Sequence, residues 1–378
     1  MKEKEEAKKL RILHINAEKE YRGGEMQTLL LSKKLIERGH QNIICCQPES
    51  GIEKECNKAK VPFFTVKMKS DADIIAAFKI MRWISNNTID IIHTHNPRAL
   101  AMGFFIKLLN FGIPHIYTRR IDFPLKSGVL SMMKYNRGAD KIIALSNSVK
   151  DSLLKGGVDE NKIVLIRGGI EKERFQKKNL SYSIKEEFSL PNDAFILGTV
   201  SHLSKHKGHS LLLEAVEKIA QKGKNVFLII VGEGPLKKEL KLECRKRNIE
   251  ERVKFAGFRK DVENLISRFY ILIHPTIEGE GSPSAIKEAM ICGIPVIASD
   301  IPPIREIIRD KVEGILVKAG KSEEIEKGIL SLIDNPTLRQ KLSQAALKKA
   351  EKEFDLDEAV LRTEHLYYEV LKNYESYK

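Results

Sequence analysis

Glu280 and Glu288 stand eight positions apart, between an apolar run at 271–274 and a stretch of helical pattern. The run reads as a short buried strand. The spacing predicts a helix over 282–290, closed by Gly293 and followed by a second strand at 295–298. Glu280 then falls in a strand-to-helix loop at the carboxyl edge of a parallel sheet, where open α/β sheets bind ligands. Glu288 falls about two turns along the helix. Gly281, Ser282 and Ser284, with Pro283 among them, leave helix amides bare for an anion. Two carboxylates accept hydrogen bonds from vicinal hydroxyls. A loop for phosphate beside acceptors for hydroxyls is the chemistry a nucleotide-sugar requires. Either glutamate alone reads as an ordinary surface or helix residue; the pair in this setting does not.

Other groups carry weaker signals. Gly23 and Gly24 precede a helix expected near Met26, and glycine conformational freedom there would let backbone approach a diphosphate. No Gly-x-Gly-x-x-Gly follows the first strand and no Gly-x-x-x-x-Gly-Lys-Ser/Thr occurs, which speaks against a dinucleotide dehydrogenase and a P-loop enzyme. Strand alternation puts His93 and His95 on one face, ahead of Pro97. With no third ligand in view the pair does not read as zinc, but it suits polar groups facing a substrate. Lys205 and Lys207 lie with His202, His206 and His209 in a strand-to-helix loop, where a lysine neutralises a leaving phosphate. Gly232 and Gly234 allow backbone close to a ligand, with Pro235 expected to start the next helix. Arg119 and Arg120 offer a guanidinium pair for phosphate or carboxylate. Asp71 and Asp73 have the Asp-x-Asp form of a metal motif, but at the start of a helical pattern they read as caps.

These groups need strand edges to hold them. Apolar runs at 11–16, 42–46, 89–95, 115–118 and 141–146 predict five strands in the first half. Runs at 195–200, 226–231, 253–257, 271–274, 295–298 and 314–317 predict six in the second. Helical patterns alternate with them, so two α/β domains with parallel sheets are expected. The break is a polar stretch between Ile170 and Pro191. The predicted division is 1–172, 173–354, and a closing helix at 355–378 that crosses back to the first domain and carries Tyr367, Tyr368, Tyr374 and Tyr377. The 378 residues are 42% hydrophobic and 31% charged, a globular composition. The start lacks the apolar core of a signal peptide, and no apolar stretch is long enough for a membrane span. Five unpaired-looking cysteines suit a reducing cytoplasm.

The net charge of +14 is concentrated. Residues 91–150 hold nine Lys/Arg (Lys126 among them) and two acids. With apolar Phe104, Phe105 and Ile106, this region suggests phosphate-bearing ligands or the inner, anionic face of a membrane. No basic stripe interleaved with stacking aromatics appears, so a nucleic-acid partner is not expected.

In order and spacing the chain resembles the retaining glycosyltransferases of family 4, from Arg11 to about Tyr374. The resemblance rests on Glu280 with Glu288, the tail from Glu288 through Gly293 and Pro295 to Val296, Gly23-Gly24-Glu25, Arg38-Gly39-His40, His93 with His95, Lys207-Gly208, and the segments beginning Val231 and Lys254. It implies a GT-B fold, two Rossmann-like domains facing across a cleft that holds a nucleoside-diphosphate sugar, with no metal and no further cofactor. It implies that Glu288 binds ribose and Glu280 the sugar hydroxyls. Lys207 and amides near Gly24 and Ser282 would hold the diphosphate, and His95 would lie beside the sugar. A looser similarity around Arg119 and Arg120 suggests cell-envelope or lipopolysaccharide synthesis, with a glycan or lipid-linked acceptor. Two departures stand out. His202 occupies the place of the family's usual arginine, which leaves Lys205 or Arg120 as substitutes. Gly168-Gly169 replaces a usual Asn-Gly. Glu278 lies ten residues before Glu288, the wrong register. A GT-B-type epimerase, acting without an acceptor, and a non-catalytic binder of anionic surfaces or nucleic acid are the rival expectations.

Overall fold

The computed structural model describes residues 8–109, 112–125, 128–176 and 181–375. Lys126 and Tyr377, and the extreme amino terminus, lie outside them. The chain divides into two compact units, Met1–Gly168 with Asp357–Lys378, and Gly169–Leu356.

The first unit holds seven strands: β1 (Arg11–Asn16), β2 (Gln41–Cys46), β3 (Phe63–Thr65), β4 (Ile91–Thr94), β5 (His115–Arg119), β6 (Lys141–Ala144) and β7 (Ile163–Leu165). Their order is β3-β2-β1-β4-β5-β6-β7, and every pairing is parallel. Strands β1, β4 and β5 are buried along almost their whole length, as strands covered by helices on both faces must be. The short edge strands β3 and β7 were not predicted. Each has three residues and no fully buried position, too little apolar pattern to read. The helix Leu356–Glu375 closes this unit with buried Val360, Leu366, Tyr367 and Val370. Its Glu364 accepts from Arg38 Nη2 (2.6 Å) and pairs with His40 Nε2 (2.7 Å), just past the helix Gly23–Glu37.

The second unit holds β8 (Phe195–Val200), β9 (Val226–Val231), β10 (Val253–Gly257), β11 (Ile271–His274), β12 (Val296–Ser299) and β13 (Ile315–Val317). They form one parallel sheet in the order β10-β9-β8-β11-β12-β13. In both sheets the order reverses beside the first strand of the unit, the doubly wound arrangement whose switch point opens a crevice at the strands' carboxyl ends. Gly169 sits where the chain enters this unit: a Cβ there would lie 2.3 Å from the Asp355 carbonyl oxygen, so only glycine lets the entering and leaving strands of chain touch.

The apolar Phe104-Phe105-Ile106 segment is core, not surface. Phe104 and Ile106 are buried, and Phe105 packs against the cluster between sheet and helices. Half of the basic residues described in this region pair with acids: Lys107 with Asp140, Lys134 with Asp71, Lys141 with Glu369 and Lys150 with Glu160. No helix among the described residues is long and apolar enough to cross a membrane. Asp73 caps the helix Ile74–Ser85, accepting from the Ala76 amide at 3.0 Å.

Candidate active site

In the second unit, β11 ends at His274 and the chain turns through Thr276 to Glu280. One oxygen of Glu280, Oε1, accepts from Lys207 Nζ, from His274 Nε2 (2.9 Å) and from Thr276 Oγ1 (2.9 Å). Burial alone would raise this carboxyl's pKa, but the Lys207 ammonium and the donors from His274 outweigh it and hold it well below the usual carboxylate range. It is therefore ionised at any working pH, with Oε2 receiving none of those three bonds. Lys207 reaches it because two loops are clamped. The Ile277 amide donates to the His206 carbonyl at 2.7 Å, and Gly208, at φ +69°, lies so close to Pro275 that a Cβ would stand 2.1 Å from its carbonyl oxygen. Glu278, the out-of-register acid, is exposed.

The helix bearing Glu288 runs Ser284–Ile291, two residues later than predicted, because Pro283 takes the extended capping conformation. Glu288 thus stands little more than one turn in, not two. Pro283 offers no side-chain cap, so the first-turn amides face the Gly281-Ser282 loop bare. Glu288 is buried, and no hydrogen bond to its carboxylate forms among the described residues. Burial pushes its pKa up to about 7, only partly offset by Arg174, whose guanidinium is bound to Glu263 at 2.7 Å. An under-satisfied carboxyl of this kind calls for hydroxyl donors.

Gly232 and Gly234 let the β9 and β8 loops lie against one another. A Cβ on Gly232, at φ +134°, would stand 2.0 Å from the Ser201 carbonyl oxygen, and one on Gly234 would stand 2.5 Å from that of Leu203. One expectation for this unit needs correction: Pro235 does not begin a helix, which runs Lys237–Lys246 after a turn. His202 is half-buried near His209, whose pKa is lowered to about 4 by burial and by the charges around it, and Lys205 is exposed.

In the first unit the carboxyl ends of β1, β4 and β5 gather His14, His93, His95 and Arg120. His14 pairs in register with His93 across the two strands. Arg120 Nη2 lies 3.3 Å from His95 Nδ1, His95 Nε2 lies 2.9 Å from His14 Nδ1, and His14 Nε2 lies 2.8 Å from Asn42 Oδ1. Guanidinium has no acceptor, so the chain can run only one way. Arg120 donates to His95, His95 donates through Nε2–H to His14, and His14 donates through Nε2–H to Asn42. Burial lowers the pKa of His14 to about 4 and those of His93 and His95 well below the usual value, so all three are neutral. His93 is held separately by Tyr367 and Thr118, both at 2.7 Å.

His14 is the third imidazole that the sequence did not reveal, since only the β1–β4 pairing brings it in. Ligand atoms of the three lie within 4.8 Å of one another, a spacing open to a metal ion. Their nitrogens are already engaged, and the Arg120 cation abuts His95, so the set is better suited to a hydrogen-bond chain. The helix Gly23–Glu37 begins at Gly23 itself, three residues before Met26, and both glycines are helical rather than in a glycine-only conformation. Their use is bareness: nothing lies near a Cβ on Gly23, and one on Gly24 would meet Arg120 Cδ at 3.3 Å. Arg120 stays charged, its pKa lowered by burial to about 10 against the pull of buried Glu25. Arg119 does not join it. Alternation turns it into the unit, where it binds Tyr135 OH (3.0 Å) and the Phe123 carbonyl, so no guanidinium pair forms.

Beyond His14, reading by motif missed Asn42, His274 and Thr276, and gave Glu25, though part of the Gly23-Gly24-Glu25 motif, no role of its own. Of the three, only His274, closing a predicted strand, carried a positional signal.

The family described as Glycosyltransferase Family 4 matches residues 21–174, and Glycosyl transferases group 1 matches residues 181–349. An uncharacterized glycosyltransferase of Methanocaldococcus jannaschii is 30% identical over 59% of this chain, a match that spans 56% of that relative's own length. A UDP-Gal:alpha-D-GlcNAc-diphosphoundecaprenol alpha-1,3-galactosyltransferase of Escherichia coli is 24% identical over 88% of this chain and 89% of that one. Among solved structures, HepE of Anabaena in complex with UDP and glucose superposes with a TM-score of 0.85 at 21% identity, over 95% of this chain and 100% of that one. WaaG, a glycosyltransferase involved in lipopolysaccharide biosynthesis, gives 0.74 at 16%, over 93% and 98%.

Two doubly wound parallel-sheet units of this kind are the GT-B architecture of sugar-transferring enzymes. The chain belongs to glycosyltransferase family 4, and it is a glycosyltransferase.

Proposed function

We propose that this enzyme transfers a hexose or heptose from a nucleoside diphosphate, with retention at the anomeric carbon and without a metal ion, to a glycan or lipid-linked acceptor in cell-envelope synthesis. The observation that carries the reading is the Lys207–Glu280 pair at the carboxyl edge of the second sheet, beside uncapped helix amides. Glu288 takes the ribose hydroxyls, and Glu280 takes sugar hydroxyls on Oε2. Lys207 and the amides after Pro283 neutralise charge on the departing phosphate, which supplies what a divalent ion would otherwise supply. On the first unit, Arg120 and the amides at Gly23 and Gly24 form a second anion-holding edge. His95, neutral, accepts a hydroxyl through Nδ1 once Arg120 turns to that anion. Retention follows the family's chemistry. The lipid-linked acceptor and a uridine donor are supported by what the Escherichia coli relative is named for and by the UDP held in the Anabaena structure.

Lys207→Ala tests the assignment. Turnover should fall on the order of a hundredfold or more with the melting point of the variant still showing a folded protein. Near-normal turnover overturns it. A thermal-shift panel of UDP-, GDP- and ADP-sugars identifies the donor, since the bound form melts later, and full transfer in chelator is expected.

A further inference from the structure

The helix Ile74–Ser85 is apolar on two sides. Ala76, Ala77, Ile80 and Ile84 face the sheet and are buried. At helical spacing on the opposite side stand Ile74, Ile75 and Phe78, which are 60%, 71% and 57% exposed. They form a continuous crest, since residues three and four apart are neighbours on a helix. No other described element carries three such exposed large apolar side chains together. Inner packing accounts for one stripe of this helix and leaves the second without an occupant, and contiguous exposed apolar surface of this kind marks an interaction site.

The surroundings say what the occupant is. Lys79 and Arg82 continue the crest along the same outer side, and Lys67 and Lys69 flank it on the segment leading into the helix; all four are exposed. Of the two nearby acids, Asp73 is bound to the helix start as its cap and Asp71 is paired with Lys134. Apolar side chains on the outer side of a helix, collared by cations that pair with no acid among the described residues, match a fluid anionic interface. There the apolar side enters the acyl boundary while lysine and arginine stay among the headgroup phosphates. A protein partner would need a matching groove and acids. We infer that the crest of Ile74, Ile75 and Phe78 is the surface by which this enzyme docks on an anionic lipid bilayer, with the helix lying in the plane of the membrane. This replaces the Phe104–Ile106 segment as the membrane-facing element. It rests on the proposed lipid-linked acceptor only for its purpose, not for its test.

The test is sedimentation of the full chain with vesicles of phosphatidylglycerol and phosphatidylcholine, against phosphatidylcholine alone. Binding is expected on the anionic vesicles and should weaken with salt. The double variant Ile75→Glu, Phe78→Glu should lose about tenfold or more of that binding, while its melting point and its sugar transfer to a water-soluble acceptor stay unchanged. In a Trp83→Phe background, Phe78→Trp should show a blue-shifted emission on the same vesicles. Equal binding to both vesicle types, binding that survives the double variant, or a Phe78→Trp emission that does not move each overturns the proposal. So does a concentration-dependent dimer abolished by the double variant, which would assign the crest to a second copy. Loss of transfer with vesicle binding intact would count against the enzymatic reading alone.

Discussion

Two glutamates eight residues apart end in opposite electrostatic states, and the cause is what each meets. Glu280 has an ammonium and two further donors, so it stays ionised; Glu288 has burial and a distant, already engaged guanidinium. With a folded pKa near 7 against an ordinary 4.5, Glu288 binds more protons folded than unfolded between those values. Its contribution to stability is therefore fully present below the unfolded value and is lost as pH rises through 7. Ribose hydroxyls donating to the carboxylate would favour the ionised form, so donor binding should release a proton. Calorimetry in buffers of different ionisation enthalpy should show this, with affinity falling about tenfold per pH unit below 7, and Glu288→Gln should abolish the slope. The imidazole chain makes a different prediction. Nitrogen-15 shifts should place the proton on Nε2 of both His14 and His95. Asn42→Leu should cost about 1–3 kcal/mol by leaving the buried His14 donor unpaired and should release that tautomer. Spacing displayed the acids, the lysine and His95 in the sequence, because each follows a recognisable strand, at its end, in the loop after it or in the helix that loop begins. His14 and Asn42 sit inside strands, where only the register of neighbouring strands gives them meaning.

At the scale of elements, the central strands were legible because burial on both faces writes an unbroken apolar run. All six strands of the second unit lie where that pattern put them, within a residue or two at the ends. What the pattern hid were contacts between loops. Gly232 and Gly208 hold loop against loop, a role that no apolar pattern announces. Gly232→Ala would force a side chain at φ +134° into a carbonyl oxygen. It should cost roughly 2 kcal/mol or more in denaturant unfolding of the second unit. Gly208→Ala should separate the Lys207 loop from Pro275, and its kinetic signature should be a lower kcat that tracks that of Lys207→Ala.

At the scale of the whole chain, the helix Leu356–Glu375 belongs to the unit at the opposite end of the sequence. It supplies Tyr367 to His93 and Glu364 to Arg38 and His40. A chain ending at Leu356 should keep hydrogen-exchange protection in β8 to β13 and lose it in β1 and β4, a contrast that mass spectrometry of the two sheets resolves. The same connectivity sets an order on biosynthesis. As the polypeptide leaves the ribosome, the leading half emerges without its final helix, and the trailing half is made in full before that helix arrives. The domain born first is completed last, and in the interval the apolar flank that Val360, Leu366, Tyr367 and Val370 will cover stands open.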